Sequence, residues 1–146
     1  EAPQKLEQVA DRSILKIYPF DKDNPLDFSW LVKAVLNDLQ KGVPRSEIAS
    51  AFHRTYAAMW CVELAKQAVR QKLSRVVLCG GVLQNKLLVD ILMPMLRQLG
   101  LQPYLPASVP CNDAGIAVGQ MAVTAAWIEQ SMNHNDKRHA RVVVGL

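Results

Sequence analysis

The sequence predicts an α/β domain of three layers, with helices covering both faces of a small parallel sheet. Apolar and β-branched residues run without alternation over residues 75–79, which is typical of a strand that is buried on both faces. Segments with a helical apolar period precede and follow that run, so helices and strands alternate along the chain. The 146 residues, half of them hydrophobic, are enough to bury a core of this kind.

The N-terminal half is predicted to hold one strand and two helices. Residues 14–18 form the strand, and a polar turn ends it. A helix then runs from about residue 27 or 29 to residue 41 and ends at Gly42, because glycine suits the left-handed conformation of a helix C-terminus. The longest helix covers residues 44–73. Its two apolar stripes predict that it packs between two layers.

The C-terminal half continues the alternation. After the strand of residues 75–79, a helix opens at Asn85 and runs to residue 99, and Pro94 should kink it near Asp90. A short strand over residues 102–105 and a helix over residues 113–132 follow. Small side chains along that last helix allow another backbone or a ligand to approach it closely. The tail of residues 133–146 is interpreted as either a flexible segment or an edge strand.

Composition excludes several classes of protein. The net charge of +4 comes from scattered basic residues, whereas a nucleic-acid site usually shows a basic stripe with exposed aromatics. No apolar run is long enough for a membrane span. Cys61, Cys79 and Cys111 form no CxxC pair, which favours a reduced, cytoplasmic protein over a disulfide scaffold. Without an adjacent base, Cys79 and Cys111 are interpreted as small apolar fillers.

Aromatic and histidine side chains of the helices are assigned to structure rather than to ligand binding. The aromatic residues assigned to the core, in preference to base stacking, are Tyr56, Trp60 and Trp127. His53 lies on the longest helix beside the apolar stripes, where a histidine is more often a half-buried structural residue than a ligand.

Two loops predict a nucleotide-phosphate site. The first places Gly80 and Gly81 between a strand and the helix at Asn85, so that backbone amides can approach an anionic ligand. The second places Asp113 and Gly115 at the start of the last helix, where a carboxylate can hold a cation that the phosphates share. The alternatives are a plain tight turn for the glycines and helix caps for Asn85 and Asp113. The sequence predicts no catalytic residue.

These motifs resemble the C-terminal part of hydrogenase maturation carbamoyltransferases of the HypF type. The likeness covers residues 26–127. The segments that carry it are residues 26–29, 42–44, 48–49, 52–55, 80–85 and 112–120. The resemblance implies that residues 1–146 are the second lobe of a domain similar to the tRNA threonylcarbamoyltransferases. The two-lobed fold of that domain is related to actin and the sugar kinases.

The resemblance also implies an activity. Such proteins hydrolyse carbamoyl phosphate, form carbamoyl-adenylate from ATP, and transfer the carbamoyl group to the C-terminal cysteine of a HypE-type partner. Gly80, Gly81, Asn85 and Gly115 would then contact the nucleotide. Asp113 would be the second lobe's ligand of a divalent metal (zinc, iron or magnesium) shared with the first lobe.

The family's remaining parts are not found in these 146 residues. The family carries an acylphosphatase domain, zinc-finger modules, an adenylating domain and a His-x-x-x-His pair in its first lobe, and His53, His134 and His139 do not form that pair. We therefore expect the chain by itself to bind poorly and to catalyse nothing. The alternatives are a related transferase acting on a tRNA adenosine or an antibiotic hydroxyl, and a non-catalytic docking module. A sugar-kinase lobe fits the two loops less well.

Overall fold

The computed structural model describes residues 2–110 and 112–134 of the chain. In these residues a 3₁₀ turn over Gly81–Gln84 accompanies helices and strands in the following order: α1 (Ala2–Val9), α2 (Ser29–Gln40), α3 (Arg45–Gln71), β1 (Arg75–Val77), α4 (Lys86–Gln98), β2 (Gln102–Tyr104) and α5 (Ala114–His134). Apart from residues 133 and 134, which end α5, the predicted tail lies outside the described residues. No described helix is long and apolar enough to cross a membrane.

The predicted strand over residues 14–18 is wrong, because this segment is irregular and pairs with no strand in the described chain. Side chains of α3 bond its backbone instead. Arg54 donates from Nε to the carbonyl oxygen of Ile14 at 2.6 Å, and the Tyr18 amide donates to Oγ1 of Thr55 at 2.8 Å. Backbone groups satisfied in this way do not need a partner strand.

The helix α3 is the centre of the fold, as its two apolar stripes predicted. It packs against α1, α2 and α4, and two core clusters lie on its opposite sides. Ala57 and Cys61 belong to the cluster shared with α4, whereas Ala51 and Met59 belong to the cluster shared with α2. Burial stops short of the C-terminal end, where Val69 is 80% exposed. Two-sided packing therefore holds for the first two-thirds of the helix.

The two strands form a parallel sheet with only one covered face among the described residues. The pairing runs from Arg75 opposite Gln102 to Val77 opposite Tyr104. Val76 is half-buried, whereas Val77 is 72% exposed and Tyr104 is half exposed. The prediction of a strand buried on both faces is therefore wrong for this part of the chain. The run of apolar residues indicated a strand, but what covers its second face does not lie among the described residues.

The last helix, α5, does not form the third layer that the sequence predicted. Large apolar side chains stand exposed along it, and Trp127, which was assigned to the core, is 67% exposed. A helix that is apolar on several sides is normally buried within a larger structure. The core of the described chain thus consists of helices packed on one face of the sheet. The helix α4 continues through Pro94 to Gln98, and the kink at Asp90 remains a prediction.

Candidate nucleotide site

The two loops that the sequence singled out leave the sheet at the same edge. Because β1 and β2 are parallel, the residues that follow Val77 and Tyr104 both begin at the carboxyl ends of the strands. The Leu78 amide donates to the Tyr104 carbonyl oxygen at 2.9 Å and joins the two chains where they leave the sheet. Ligands of α/β sheets bind outside this edge. Gly80 and Asp113 therefore lie on loops with a common origin.

Gly80 and Gly81 differ in what they require. Gly80 has φ +113° and ψ 155°, a backbone conformation that residues with a side chain rarely adopt. Gly81 begins the 3₁₀ turn without a positive φ. A β-carbon at either position would meet no atom within 4 Å. Backbone geometry therefore explains Gly80, whereas neither geometry nor packing in the described chain requires a glycine at position 81.

Asn85 caps α4, which is one of the two roles predicted for it, the other being contact with a nucleotide. Its Oδ1 accepts from the Leu88 amide at 2.8 Å, and the neighbouring Leu87 amide donates to Oε1 of Glu7 at 3.0 Å. A helix N-terminus favours an anion, and the anion here is the chain's own Glu7 carboxylate. A ligand phosphate that bound these two amides would have to displace Glu7 and Asn85.

Asn85 also contacts His53, which is 3% exposed. The Asn85 side-chain nitrogen lies 2.8 Å from Nε2 of His53, and Nδ1 of the same ring lies 2.7 Å from the carbonyl oxygen of Ala49. His53 is thus a hydrogen-bonded residue of the interior, more deeply buried than predicted, and its partner was not predictable from the sequence. The two residues are 32 positions apart, and no local pattern connects a helix face to a distant helix cap.

A cavity of about 490 Å³ lies beside this contact. Its lining is mostly apolar and aromatic, and His53 and Asn85 contribute its two polar side chains. The lining residues are Leu6, Phe52, His53, Tyr56, Val82, Asn85 and Leu88. A second cavity of about 220 Å³ shares Tyr56, Val82 and Leu88 with the first, so the 3₁₀ turn borders both. Apolar walls with a few convergent polar groups are typical of small-molecule sites.

The aromatic residues of this region are less buried than a core assignment implies. Tyr56 and Trp60 are half-buried and line the smaller cavity. Tyr56 stacks on Phe52, with ring centroids 6.2 Å apart, and meets the edge of Trp60 at 6.5 Å. Such pairs contribute about 0.5–1.5 kcal/mol beyond the area that they bury. These side chains therefore serve the core and the cavity wall together.

The second loop is held close to the start of α5. A β-carbon on Gly115 would lie 2.4 Å from the carbonyl oxygen of Pro110, so only glycine fits there without a shift of backbone. The Ala114 amide donates to Oδ1 of Asn112 at 3.1 Å, so Asn112 supplies the side-chain cap that Asp113 was considered for. Asp113 itself is exposed. The predicted close approach at Gly115 is thus a contact with its own loop.

In the described part of the second loop, the carboxylate that could bind a metal is that of Asp113. Within residues 2–110 and 112–134, no group of three or more histidine, cysteine, aspartate or glutamate side chains could hold a metal ion. An exposed carboxylate such as Asp113 fits one ligand position of a hard divalent cation. The other ligands would have to come from outside these residues.

The two cysteines of the described chain differ in their surroundings. Cys61 is buried among apolar side chains, and this burial raises the pKa of its thiol to about 11. Cys79 is exposed beside the glycine turn, so its assignment as an apolar filler is wrong. That interpretation assumed a strand covered on both faces. Cys111 lies outside the described residues.

The fold is that of a carbamoyltransferase domain. The chain belongs to the family described as the carbamoyltransferase Kae1-like domain, second subdomain, whose model matches residues 1–120. This result confirms the resemblance to HypF-type proteins that the motifs indicated.

Individual relatives agree with this membership. The chain is 38% identical over 101 residues to the carbamoyltransferase HypF of Rhizobium leguminosarum bv. viciae, covering 68% of this chain and 13% of that protein. It is 29% identical over 103 residues to a probable bifunctional tRNA threonylcarbamoyladenosine biosynthesis protein of Methanosphaera stadtmanae, covering 70% and 19%. The chain thus spans less than a fifth of these relatives' length.

A solved structure shares the fold. The crystal structure of full-length HypF in the phosphate- and nucleotide-bound form superposes with a TM-score of 0.75 at 28% identity, over 82% of this chain and 19% of that one. HypF of T. kodakarensis gives a TM-score of 0.70 at 22% identity, which supports the fold alone.

Proposed function

We propose that this chain is the second lobe of a carbamoyltransferase that makes carbamoyl-adenylate from carbamoyl phosphate and ATP. The carbamoyl group would pass to the C-terminal cysteine of a HypE-type acceptor in [NiFe]-hydrogenase maturation. The observation that carries the proposal is the common sheet edge of the two loops, in a chain of this family. The HypF crystal structure is of a phosphate- and nucleotide-bound form, which supports a nucleotide site in such proteins.

Uncovered apolar surface supports the proposal that the chain is one lobe of a larger protein. Val77 and Tyr104 stand exposed on the outer face of the sheet, and α5 exposes Ile116, Met121 and Trp127. Surfaces of this kind usually mark contacts with other protein. The N-terminal domains that the resemblance implies would supply that contact and the first-lobe histidines. In this proposal the chain alone binds nucleotide weakly and transfers nothing.

The glycine turn and Asn85 are assigned to the nucleotide. Gly81 carries no side chain at a point where the backbone would tolerate one, so the space above it remains open to a ligand. Gly115 keeps the second loop against the start of α5 and thereby fixes where Asp113 stands. These positions let backbone amides and one carboxylate converge on phosphate groups from two loops.

Asp113 is assigned as one ligand of a divalent metal shared with the other lobe. A bound divalent cation neutralises phosphate charge on the leaving group. This chain's own contribution is to hold an exposed carboxylate on a loop whose backbone is fixed by Asn112 and Gly115. Acyl transfer from an adenylate chiefly needs this positioning, because the carbamoyl group is already activated.

The test is a transfer assay on a chimera in which this chain replaces the matching segment of Rhizobium HypF. The Asp113→Ala variant is expected to lose carbamoylation of the acceptor cysteine, measured by mass spectrometry, while remaining folded. Asp90→Ala is the matched control, because Asp90 is an exposed carboxylate paired with Arg12 at 2.9 Å, outside the two loops. Wild-type transfer rates in Asp113→Ala would remove the metal role.

A second candidate is threonylcarbamoyl transfer to a tRNA adenosine, which the likeness to the Methanosphaera protein favours. The two candidates share the nucleotide site and differ in the acceptor. The same chimera separates them when it is supplied either with the acceptor protein or with unmodified tRNA. Modification of tRNA alone would favour this second function. Binding of a partner protein without nucleotide would instead favour the docking module.

A further inference from the structure

A relay of three hydrogen bonds connects α3 to the start of α4. The Ala49 carbonyl oxygen can only accept, so Nδ1 of His53 carries a proton, and in the neutral ring Nε2 is then an acceptor. The Leu88 amide can only donate, so the Asn85 atom facing it is Oδ1. These two assignments are made independently of each other. They agree at the third contact, where the Asn85 side-chain NH₂ donates to Nε2 at 2.8 Å.

We propose that His53 is a positioning residue of the nucleotide site, an inference that rests on the proposed function. By accepting one N–H of Asn85, His53 reinforces the orientation that the Leu88 amide gives to the Asn85 side chain and holds its NH₂ group in place. Asn85 lines the 490 Å³ cavity, and its second N–H is the donor that remains for a ligand. The ligand group at this point is therefore a hydrogen-bond acceptor of the nucleotide.

The reversed amide is strongly disfavoured. Turning Asn85 over would place Oδ1 against the bare Nε2 of His53 and would place the NH₂ group against the Leu88 N–H. Both hydrogen bonds would be lost, and like groups would face each other at both ends. Because His53 is almost fully buried, water would not compensate for these losses. His53 and the Leu88 amide together therefore determine that the site offers a donor.

Two substitutions separate this role from simple support of the fold. In His53→Gln, the side-chain oxygen can occupy the position of Nε2 and accept from Asn85. In His53→Asn, the shorter amide can replace Nδ1 and donate to the Ala49 carbonyl oxygen, but it cannot reach Asn85. Each variant keeps one of the two hydrogen bonds of His53, so we expect the two variants to have similar free energies of unfolding. Thermal unfolding checks that both variants remain folded.

The experiment is an ATP titration of the ¹⁵N-labelled 146-residue chain, followed through the side-chain NH₂ signals of Asn85. His53→Gln is expected to bind ATP within about threefold of wild type, and His53→Asn about tenfold more weakly, as the loss of one oriented hydrogen bond predicts. Equal affinities in both variants, whether retained or lost, would overturn the positioning role.

The wild-type titration distinguishes this inference from the proposed function. A wild-type chain whose Asn85 signals do not respond to ATP at any concentration contradicts the nucleotide site itself. A wild-type chain that binds ATP, together with a His53→Asn variant that binds it equally well, contradicts only the role of His53.

Discussion

The Leu78 amide nitrogen lies 2.9 Å from the Tyr104 carbonyl oxygen, and this hydrogen bond fixes where two separate loops begin. The loop after β1 carries the paired glycines, and the loop after β2 leads to Asp113. Neither loop can move away from the sheet at its first residue without breaking that bond. The candidate site thus depends on a pairing of strands whose residues are 26 or 27 positions apart.

Alanine substitutions at the paired glycines should have opposite signatures. Gly80→Ala forces a side chain into a conformation with φ +113° and should destabilise the fold by about 1–3 kcal/mol. Gly81→Ala should leave the free energy of unfolding nearly unchanged but weaken ATP binding, because its methyl group enters the ligand's space. Urea unfolding and an ATP titration measure the two effects. Equal destabilisation by both substitutions would indicate a plain tight turn.

Two glycines at the start of α5 provide a second comparison. Gly115→Ala should disturb the loop of residues 105–113, because its β-carbon would lie 2.4 Å from the Pro110 carbonyl oxygen. Gly119→Ala meets no atom within 4 Å and should stabilise the helix by up to about 1 kcal/mol. Amide chemical shifts of the loop and thermal unfolding measure both effects. A Gly115→Ala variant with unchanged loop chemical shifts and unchanged thermal stability would show that the close approach of Gly115 to Pro110 is not needed.

Removing the Asn85 side chain should destabilise the fold as well as weaken nucleotide binding. Asn85 caps α4 and bonds His53, so its removal should cost about 0.5–2 kcal/mol for the cap. The unsatisfied buried nitrogen of His53 adds to that cost. Asn85→Ser keeps a capping oxygen without reaching His53 and should recover part of the loss in urea unfolding. A variant Asn85→Ala as stable as wild type would contradict both contacts.

Acid should weaken the link between α2 and the irregular segment before it. Asp38 accepts from Lys16 at 2.7 Å and from the Tyr18 hydroxyl at 2.9 Å, and these bonds lower the pKa of its carboxyl group. Burial, followed by the bond to Asp38, raises the pKa of Tyr18 to about 12. A lowered folded-state pKa stabilises the fold above the ordinary aspartate value and loses that effect as pH falls through the lower value.

The corresponding variant is Asp38→Asn. It should be less stable than wild type at neutral pH. The difference in unfolding free energy should shrink as pH falls below roughly 4, where the carboxyl group of the unfolded wild-type chain begins to protonate. Unfolding free energies measured across that range provide the comparison. Asp90→Asn, at an exposed ion pair, should show almost no difference at any pH. If the difference in unfolding free energy between Asp38→Asn and wild type does not change with pH, the Asp38 carboxylate does not stabilise the fold through its charge.

Local patterns predicted α2, α3, α4 and α5 and the positions of the loops, whereas α1 (Ala2–Val9) was not predicted. Gly42 has φ +71° and Asn85 caps α4, both as their residue types predicted. Each of these features depends on the conformation of one residue and its neighbours in sequence. The helix boundaries consequently agree within two residues for α2, α3 and α5.

Contacts between distant residues were not predictable in the same way. Nothing near Ile14 showed that Arg54 would bond its carbonyl oxygen, and nothing near His53 showed that Asn85 would face it. The exposure of Val77 and Trp127 was missed because an apolar side chain shows that a surface is to be covered, not which part of a protein covers it. The sequence predicted candidate site residues but not their hydrogen-bond partners.

The proposed function requires that the loops after β1 and β2 form one wall of a nucleotide site. An ATP titration of the ¹⁵N-labelled chain, monitored at the backbone amides, is the decisive measurement. We expect the amide signals of Gly80, Gly81 and Gly115 to shift together and to follow one binding curve. Shifts confined to a single loop, or to the separate cavity beside Lys66 and Leu99, would contradict it.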